Sequence, residues 1–291
     1  MSYRIAYQGV PHSFSYQAAN IFINKELSCF TSSSPELIGT KSFEDIIKLV
    51  KTESVALGLL PIENSLAGSI YSNYDLLEQA SLSVIGELIL QVHHCLIAPA
   101  KASLNSITTI YSHPKALEQC LKFLGGSLPD GSKRSPYLQM ISASTSHAAA
   151  FVAEQDNLNY GAIASEEASK AYNLQVLARN IEDHEQNFTR FLVIANEPLK
   201  QDDSRTKCSI TFTLNHIPGA LSQVLSVLAE HQANLTKIES RPLHGHPFEY
   251  RFYVDFISDH DDRREIDTLI LNVSTLKVFG WYKPNTFEKS I

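Results

Sequence analysis

Over the first two-thirds of the chain, apolar positions fall into short continuous runs separated by amphipathic stretches. Tyr3 to Tyr7 reads as a first strand closed by the turn residues Gly9 and Pro11, and a helix follows from about Ser15, with Ala18, Ala19 and Phe22 spaced for one buried face. Ser42 with Asp45 has the pattern of a capping box at the head of an amphipathic helix. Val55 to Leu60 is apolar throughout and bounded by Pro61, as expected of a strand buried on both faces. The alternation continues with strand patterns at Leu82 to Leu90, Val92 to Ala98, Ile107 to Tyr111, Tyr160 to Ala164 and Phe191 to Ala195. Helical patterns begin at Pro114, Ala143 and Glu166, and Gly125 to Pro136 reads as a polar loop. Strand alternating with helix predicts an α/β layer architecture.

The period changes beyond the polar stretch Asn196 to Lys207. Ser209 to Leu214 alternates, and Leu221, Val224, Leu225 and Leu228 recur at helical spacing after Pro218-Gly219. Strands at Leu235 to Arg241 and Tyr250 to Phe256 follow, then a helix over Arg263 to Val273 and a last strand at Leu276 to Tyr282, with His244 to Pro247 as a turn. This β-α-β-β-α-β order is the ferredoxin-like arrangement.

Composition narrows the function classes. The 291 residues suffice for two or three cores, with 44% apolar and 19% charged residues. A net charge of −7 with interspersed signs argues against nucleic-acid binding. Cys29, Cys95, Cys120 and Cys208 form no Cys-x-x-Cys pair, which fits reduced thiols in a cytoplasmic protein. No stretch has the length and apolarity of a membrane span, and no leader pattern opens the chain.

Polar clusters sit where strands run into helices: Gly9 to Ser15, with Ser13 and Ser15; Glu63-Asn64-Ser65 before Gly68-Ser69; Ser112-His113-Pro114 before Gln119; and Ser165 after Ala164. Ligands bind at the carboxyl ends of strands in open α/β sheets, where helix N-termini present free N–H groups. Ser65 and Ser112 fit helix N-caps as well as ligand donors, and Glu63 fits a solvated first-turn acid. His93 and His94 point to opposite faces if they lie on a strand, and Asp259 to Asp262 reads as loop. Glu185 to Ile194 sets Thr189 and Arg190 at the entry of an apolar strand, one hydroxyl beside a planar cation suited to a carboxylate. The inventory is hydroxyls, amides and N–H donors, with Lys115 and Arg190 as cations and no metal set. It suits a small molecule with carboxylates and hydroxyls, handled by positioning and electrostatics rather than covalent catalysis.

Taken together, Gly9-Val10-Pro11-His12-Ser13-Phe14-Ser15, Pro61 to Ser65, Ser112-His113-Pro114 with Gln119-Cys120, Ala162 to Ser165 and Asn187-Phe188-Thr189-Arg190-Phe191 resemble the prephenate and arogenate dehydratases. Pro218 to Leu221 and Asn234 to Pro242 resemble an ACT regulatory domain. The resemblance covers nearly the whole chain. It departs at His12, where the family usually has Gly, and at Lys115, where it usually has Gln.

The resemblance implies a two-lobed catalytic domain like periplasmic binding proteins over residues 1–196. Lobe one would comprise 1–78 and 180–196, and lobe two 79–179, with the outward crossing near Asp75 to Ser81 and the return near Leu177 to Asn180. A linker would span 197–207 and the ACT domain 208–285. It further implies decarboxylative dehydration of prephenate to phenylpyruvate without a cofactor. Thr189 would assist the leaving hydroxyl, with Asn64, Ser112 and Gln119 orienting substrate. Arg190, Glu63, Ser65, Ser13, Ser15 and Ser165 would bind it, Arg190 at a carboxylate. Arogenate is the alternative substrate, and a small-molecule sensor or solute receptor the alternative class. Phenylalanine would bind the ACT domain at a subunit interface of a homodimer or homotetramer. Gly219, Ala220 and Leu221 would form the turn there, with Asn234, Leu235, Glu239, Ser240, Arg241 and Pro242 facing it.

Overall fold

A computed structural model describes residues 4–27, 35–129, 131–198, 204–243, 245–258 and 264–285. The readings at Tyr3, Cys29, His244 and Asp259 to Asp262 fall outside these residues, as do residues 199–203 of the polar stretch after Asn196.

The first sheet is built from β1 (Arg4–Gln8), β2 (Glu36–Thr40), β3 (Leu57–Asn64), the short β4 (Gly68–Ser69) and β5 (Ser83–Gln91). Helices α1 (Phe14–Phe22), α2 (Phe43–Lys51) and α3 (Tyr71–Gln79) flank it. The predicted capping box is present at the head of α2: Asp45 N–H donates to Ser42 Oγ, and Ser42 N–H to Asp45 Oδ2. A second sheet holds β6 (Cys95–Ala98), β7 (Thr109–Ser112), β8 (Leu138–Ile141), β9 (Tyr160–Ala164) and β10 (Gln175–Ala178). Its helices are α4 (Pro114–Glu118), α5 (Leu121–Leu124), α6 (Thr145–Gln155) and α7 (Glu166–Ala171). The chain then returns as β11 (Phe188–Ala195), which pairs antiparallel with both β3 and β5.

The first sheet therefore runs β2-β1-β3-β11-β5 and the second β10-β6-β9-β7-β8. Pairing of β5 with β11 places residues 83–91 in lobe one. The outward crossing accordingly lies between β5 and β6, and the expected position near Asp75 to Ser81 is corrected. That expectation came from the resemblance; residues 75–79 lie in α3, and the short loop that follows leads into another strand of the same lobe. β8 received no element in the sequence reading: its four residues are too short a run to show a period, and all four are exposed.

Beyond residue 204 come β12 (Lys207–Thr213), α8 (Ala220–Glu230), β13 (Asn234–Pro242), β14 (Tyr250–Ile257), α9 (Arg264–Ile270) and β15 (Thr275–Tyr282). Their sheet order β13-β14-β12-β15, antiparallel throughout, is the ferredoxin-like topology. Apolar cores lie on both faces of each lobe sheet and under α8 and α9. The lobe-one core that contains Leu60, Ile62 and Leu192 also takes in Tyr253, Phe279 and Tyr282. The ferredoxin-like domain is thus packed onto lobe one by shared burial. Gly280 makes the approach possible, because a Cβ there would collide with the Val84 carbonyl of β5.

Candidate functional site

The loops after β1 and β3 and the entry of β11 meet at one edge of the lobe-one sheet. Facing them across a cleft of about 580 Å³ are segments of lobe two. Lobe one contributes Ser13, Phe14, Ser15, Asn64, Ser69 and Thr189 to the lining, and lobe two His94, His113, Lys115, Gln119, Ser144 and Thr145. Among the helices that start there are α1, whose N-cap Ser13 accepts from Tyr16 N–H, and α6, whose N-cap Ser144 accepts from His147 N–H. Their free N–H groups and dipoles favour an anion. Among the described residues that line the cleft, Lys115 is the one Lys or Arg, and none is a carboxylate. Its ammonium pairs with Glu118 at 2.8 Å on the rim. His113 caps α4, and burial, then Lys115, pushes its pKa below the usual histidine value. The cleft is therefore positive through its backbone and one lysine.

A chain of amides crosses its floor. Asn64 Oδ1 accepts from the backbone N–H groups of Leu66 and Ala67 at 3.0 and 2.9 Å. Backbone amides only donate, so the orientation of Asn64 is fixed and its Nδ2 is a donor. That nitrogen reaches Asn187 Oδ1 at 2.8 Å, Phe188 O at 3.1 Å and Thr189 Oγ1 at 3.1 Å. Asn187, fully buried, then donates from Nδ2 to Gln119 Oε1 at 3.0 Å. The polarity has one consequence for chemistry: Thr189 Oγ1 accepts from Asn64, and its own proton stays free for the cleft.

The structure brings Asn64, Gln119, Thr189, Ser13 and Ser15 together, and it sends the other expected ligands elsewhere. Arg190 is corrected most sharply. Successive side chains of a strand point to opposite faces, so Thr189 facing the cleft turns Arg190 away from it. Its guanidinium is buried against the ferredoxin-like domain, donating to Glu87 at 2.7 Å, to Tyr282 Oη at 2.9 Å and to Asp255. Lys207 joins the cluster through Glu87 at 2.9 Å. Arg190 is absent from the cleft lining, so its guanidinium is not placed to anchor a substrate carboxylate there. Burial opposes the charge on Arg190, but Asp255, Tyr282 and Glu87 outweigh it and hold its pKa well above the ordinary value.

Glu63 turns to the same far face for the same reason and pairs with Lys237 at 3.0 Å. Ser112 is fully buried and donates to Ile163 O at 2.7 Å, tying β7 to the end of β9. Ser65 caps no helix; it donates to Gln186 O and accepts from Phe188 N–H, stapling the β3–β4 turn to the start of β11. Ser165 caps α7 and reaches His12 O at 3.4 Å across the lobes. His12 has φ +67°, a left-handed conformation that suits the Gly usual at that position. Sequence reasoning missed Ser144 and Thr145, and it gave Asn187 and His94 no role. A buried Asn beside Thr189 was the available signal for Asn187.

In the ferredoxin-like domain, Gly219 holds φ +83° at the head of α8, where a side chain would be strained. On β13, Glu239 and Arg241 face lobe one of the same chain. Ser69 donates to Glu239 Oε2 at 2.7 Å, and Arg241 pairs with Asp75 at 2.9 Å. Asn234 and Ser240 are exposed, while Ala220, Leu221 and Leu235 are partly buried. The four-residue stretch Glu239 to Pro242 is thus divided between two faces and does not present one surface to an effector. Among the described residues no group of three or more His, Cys, Asp or Glu is placed to hold a metal, and no helix is long and apolar enough to cross a membrane.

The family model for prephenate dehydratase matches residues 5–199, and that for the ACT domain residues 209–273. The bifunctional chorismate mutase/prephenate dehydratase of Escherichia coli K12 is 35% identical over 97% of this chain and 71% of its own length. Arogenate dehydratase/prephenate dehydratase 2 of Arabidopsis thaliana is 37% identical over 97% and 73%. Among solved structures, the prephenate dehydratase of Staphylococcus aureus superposes with TM-score 0.79 at 27% identity, covering 96% of this chain and all of that one. GqqA, described as a quorum-quenching acylase, superposes with TM-score 0.82 at 27% identity over 98% of this chain and all of its own. The matched segment exceeds half the chain and carries the amide-lined cleft, so the chain belongs to the prephenate dehydratase family of carbon–oxygen lyases, with a C-terminal ACT domain.

Proposed function

We propose that the cleft converts prephenate to phenylpyruvate. The ring carboxylate leaves as carbon dioxide, its bonding electrons enter the ring, and the ring hydroxyl departs and is protonated to water. Aromatisation drives the reaction, and the protein must place one proton donor at the departing oxygen. The free hydroxyl proton of Thr189 carries this reading. Asn64 donates to Thr189 Oγ1, which directs the hydroxyl hydrogen outward and steadies it. The Gln119 amide, its Oε1 occupied by Asn187, keeps its hydrogens for substrate.

The lining supports prephenate over arogenate. Arogenate carries an ammonium where prephenate carries a keto group, and a lining without a carboxylate offers that ammonium no counter-charge. Helix N-termini and Lys115 suit a dianion. Parallel kinetics on the two substrates tests this directly. We expect kcat/KM for prephenate at least about tenfold above that for arogenate, a difference of ~1.4 kcal/mol. Equal or reversed values overturn the preference, and no turnover of either overturns the dehydratase reading.

Feedback by phenylalanine through the ACT domain, in a cytoplasmic homodimer or homotetramer, belongs to the same reading. It is supported by the ACT match and, for the cytoplasmic setting, by buried Cys95 and Cys120, which form no disulfide. Calorimetry with millimolar phenylalanine and light scattering check the two parts, and a monomer without heat of binding contradicts them.

A further inference from the structure

His94 lies outside the residues given a role above, yet it lines the cleft and is 2% exposed. Its Nε2 stands 2.9 Å from Gln119 Oε1. The polarity of the amide chain, fixed at Asn64 by two backbone N–H groups and passed through Asn187, makes Gln119 Oε1 an acceptor. His94 Nε2 therefore bears the proton, and Nδ1 is an acceptor. That Nδ1 is buried and has no hydrogen-bond partner among the described residues. An unpartnered buried acceptor is unfavourable, and the ring keeps this arrangement to hold Nε2 on Gln119. The ring is also locked from outside: Phe14 of lobe one packs on it edge-on, with centroids 5.6 Å apart, and its backbone N–H donates to Glu182 Oε2 at 2.9 Å. Burial pushes its pKa down and favours the neutral form.

We propose that His94 is a positioning residue for the reaction: as the neutral Nε2–H tautomer it fixes the Gln119 amide with its hydrogens toward substrate. The inference rests on the dehydratase reading. With two donors on Oε1, a rotation of the Gln119 amide that turned its hydrogens inward would face both His94 and Asn187 with the wrong polarity. With Asn187 alone the amide loses half of that constraint. His94 thus extends the ordered chain Thr189–Asn64–Asn187–Gln119 by one member and closes it in lobe two, so the same bonds that orient the catalytic groups also register the two lobes.

Three variants test this. His94→Phe keeps the ring and its packing on Phe14 but removes the N–H. His94→Gln places an amide N–H near the position of the imidazole Nε2, and His94→Asn places one near Nδ1. With prephenate, we expect kcat of His94→Phe to fall about 10- to 50-fold with KM changed less than about threefold. His94→Gln should recover to within about fivefold of the wild type, and His94→Asn should stay with the Phe variant. If His94→Phe keeps kcat within about twofold, or if the Gln and Asn variants fall equally, the role is overturned. The Gln-to-Asn contrast decides even where the Phe variant folds poorly, since both are polar and melt curves identify any loss of structure. Wild-type turnover in the same assay separates the layers. An active wild type with unimpaired variants removes only the role of His94, whereas an inert wild type removes the dehydratase reading and this inference with it.

Discussion

Thr189 and Arg190 are neighbours on one strand, and they look into two different kinds of polar environment. On the cleft side, Thr189 ends a chain of neutral amides whose polarity is set by backbone N–H groups. On the far side, Arg190 sits in a buried cluster of full charges with Glu87, Asp255 and Lys207, to which Tyr282 adds a neutral hydroxyl. The difference follows from what each face must do. A cleft that receives an anion and holds one donor at a reacting atom needs oriented dipoles and no competing charge. An interface between lobe one and the ACT domain needs groups that are satisfied in one relative placement only. Buried ion pairs do this because each misplacement strands a charge.

Breaking the charged face first should give the largest effect. Arg190→Met leaves Glu87 and Asp255 buried without their shared cation, and we expect a loss of about 3–5 kcal/mol in stability by denaturant titration. The fraction that remains folded should keep kcat within about threefold, because no Arg190 atom enters the cleft. A fall in kcat of a hundredfold in folded protein would return Arg190 to the site. On the neutral face, Asn64→Asp keeps the acceptor for Leu66 and Ala67 but removes the donor to Asn187, Phe188 and Thr189 and adds a negative charge. A loss of about 2–4 kcal/mol in transition-state stabilisation is expected, read as kcat/KM of the folded protein.

Acid should separate the faces again. Burial alone would raise the Asp255 carboxyl, but the Arg190 charge, with hydrogen bonds from Ser209 and Arg190, holds it below its ordinary value. A depressed carboxyl contributes stability that is complete above about pH 4 and is lost as pH falls through the folded value. The stability gap between wild type and Asp255→Asn should therefore narrow from pH 5 to about pH 3, and a constant gap would contradict the assignment. The smallest effect is at the edge of the cleft. His12 at φ +67° carries a left-handed penalty, and His12→Gly should raise stability by at most ~1 kcal/mol while leaving kcat unchanged.

Much of this was legible in the residues. Capping at Ser42, the buried run before Pro61 and the period change near residue 207 each placed an element correctly, since local signals and tertiary context agree there. Arg190 shows where the reading failed. The strand was taken to begin at Phe191 or Leu192, which left Thr189 and Arg190 on a loop and free to share a cleft; begun at Phe188, it forces them onto opposite faces. Ser112 and Ser65 looked like caps or ligands and turned out to fasten neighbouring backbone, a use that depends on which strands pair. His94 was invisible for a related reason. Its importance lies in a partner 25 residues away, Gln119, brought to it only when β6 and α4 share lobe two. The likeness to a protein described as an acylase adds a caution of the same kind, since a shared fold leaves the chemistry to the site.

The claim that one face of β11 performs the chemistry while the other docks a domain is tested most directly by Thr189→Val. The substitution keeps the β-branched shape and removes only the hydroxyl that Asn64 orients. With prephenate as substrate and a thermal melt of the same preparation, we expect phenylpyruvate formation to fall at least about 100-fold. The melting temperature should stay within about 3 °C of wild type. Turnover within about fivefold of wild type, or a loss of activity that tracks a collapse in stability, would contradict it.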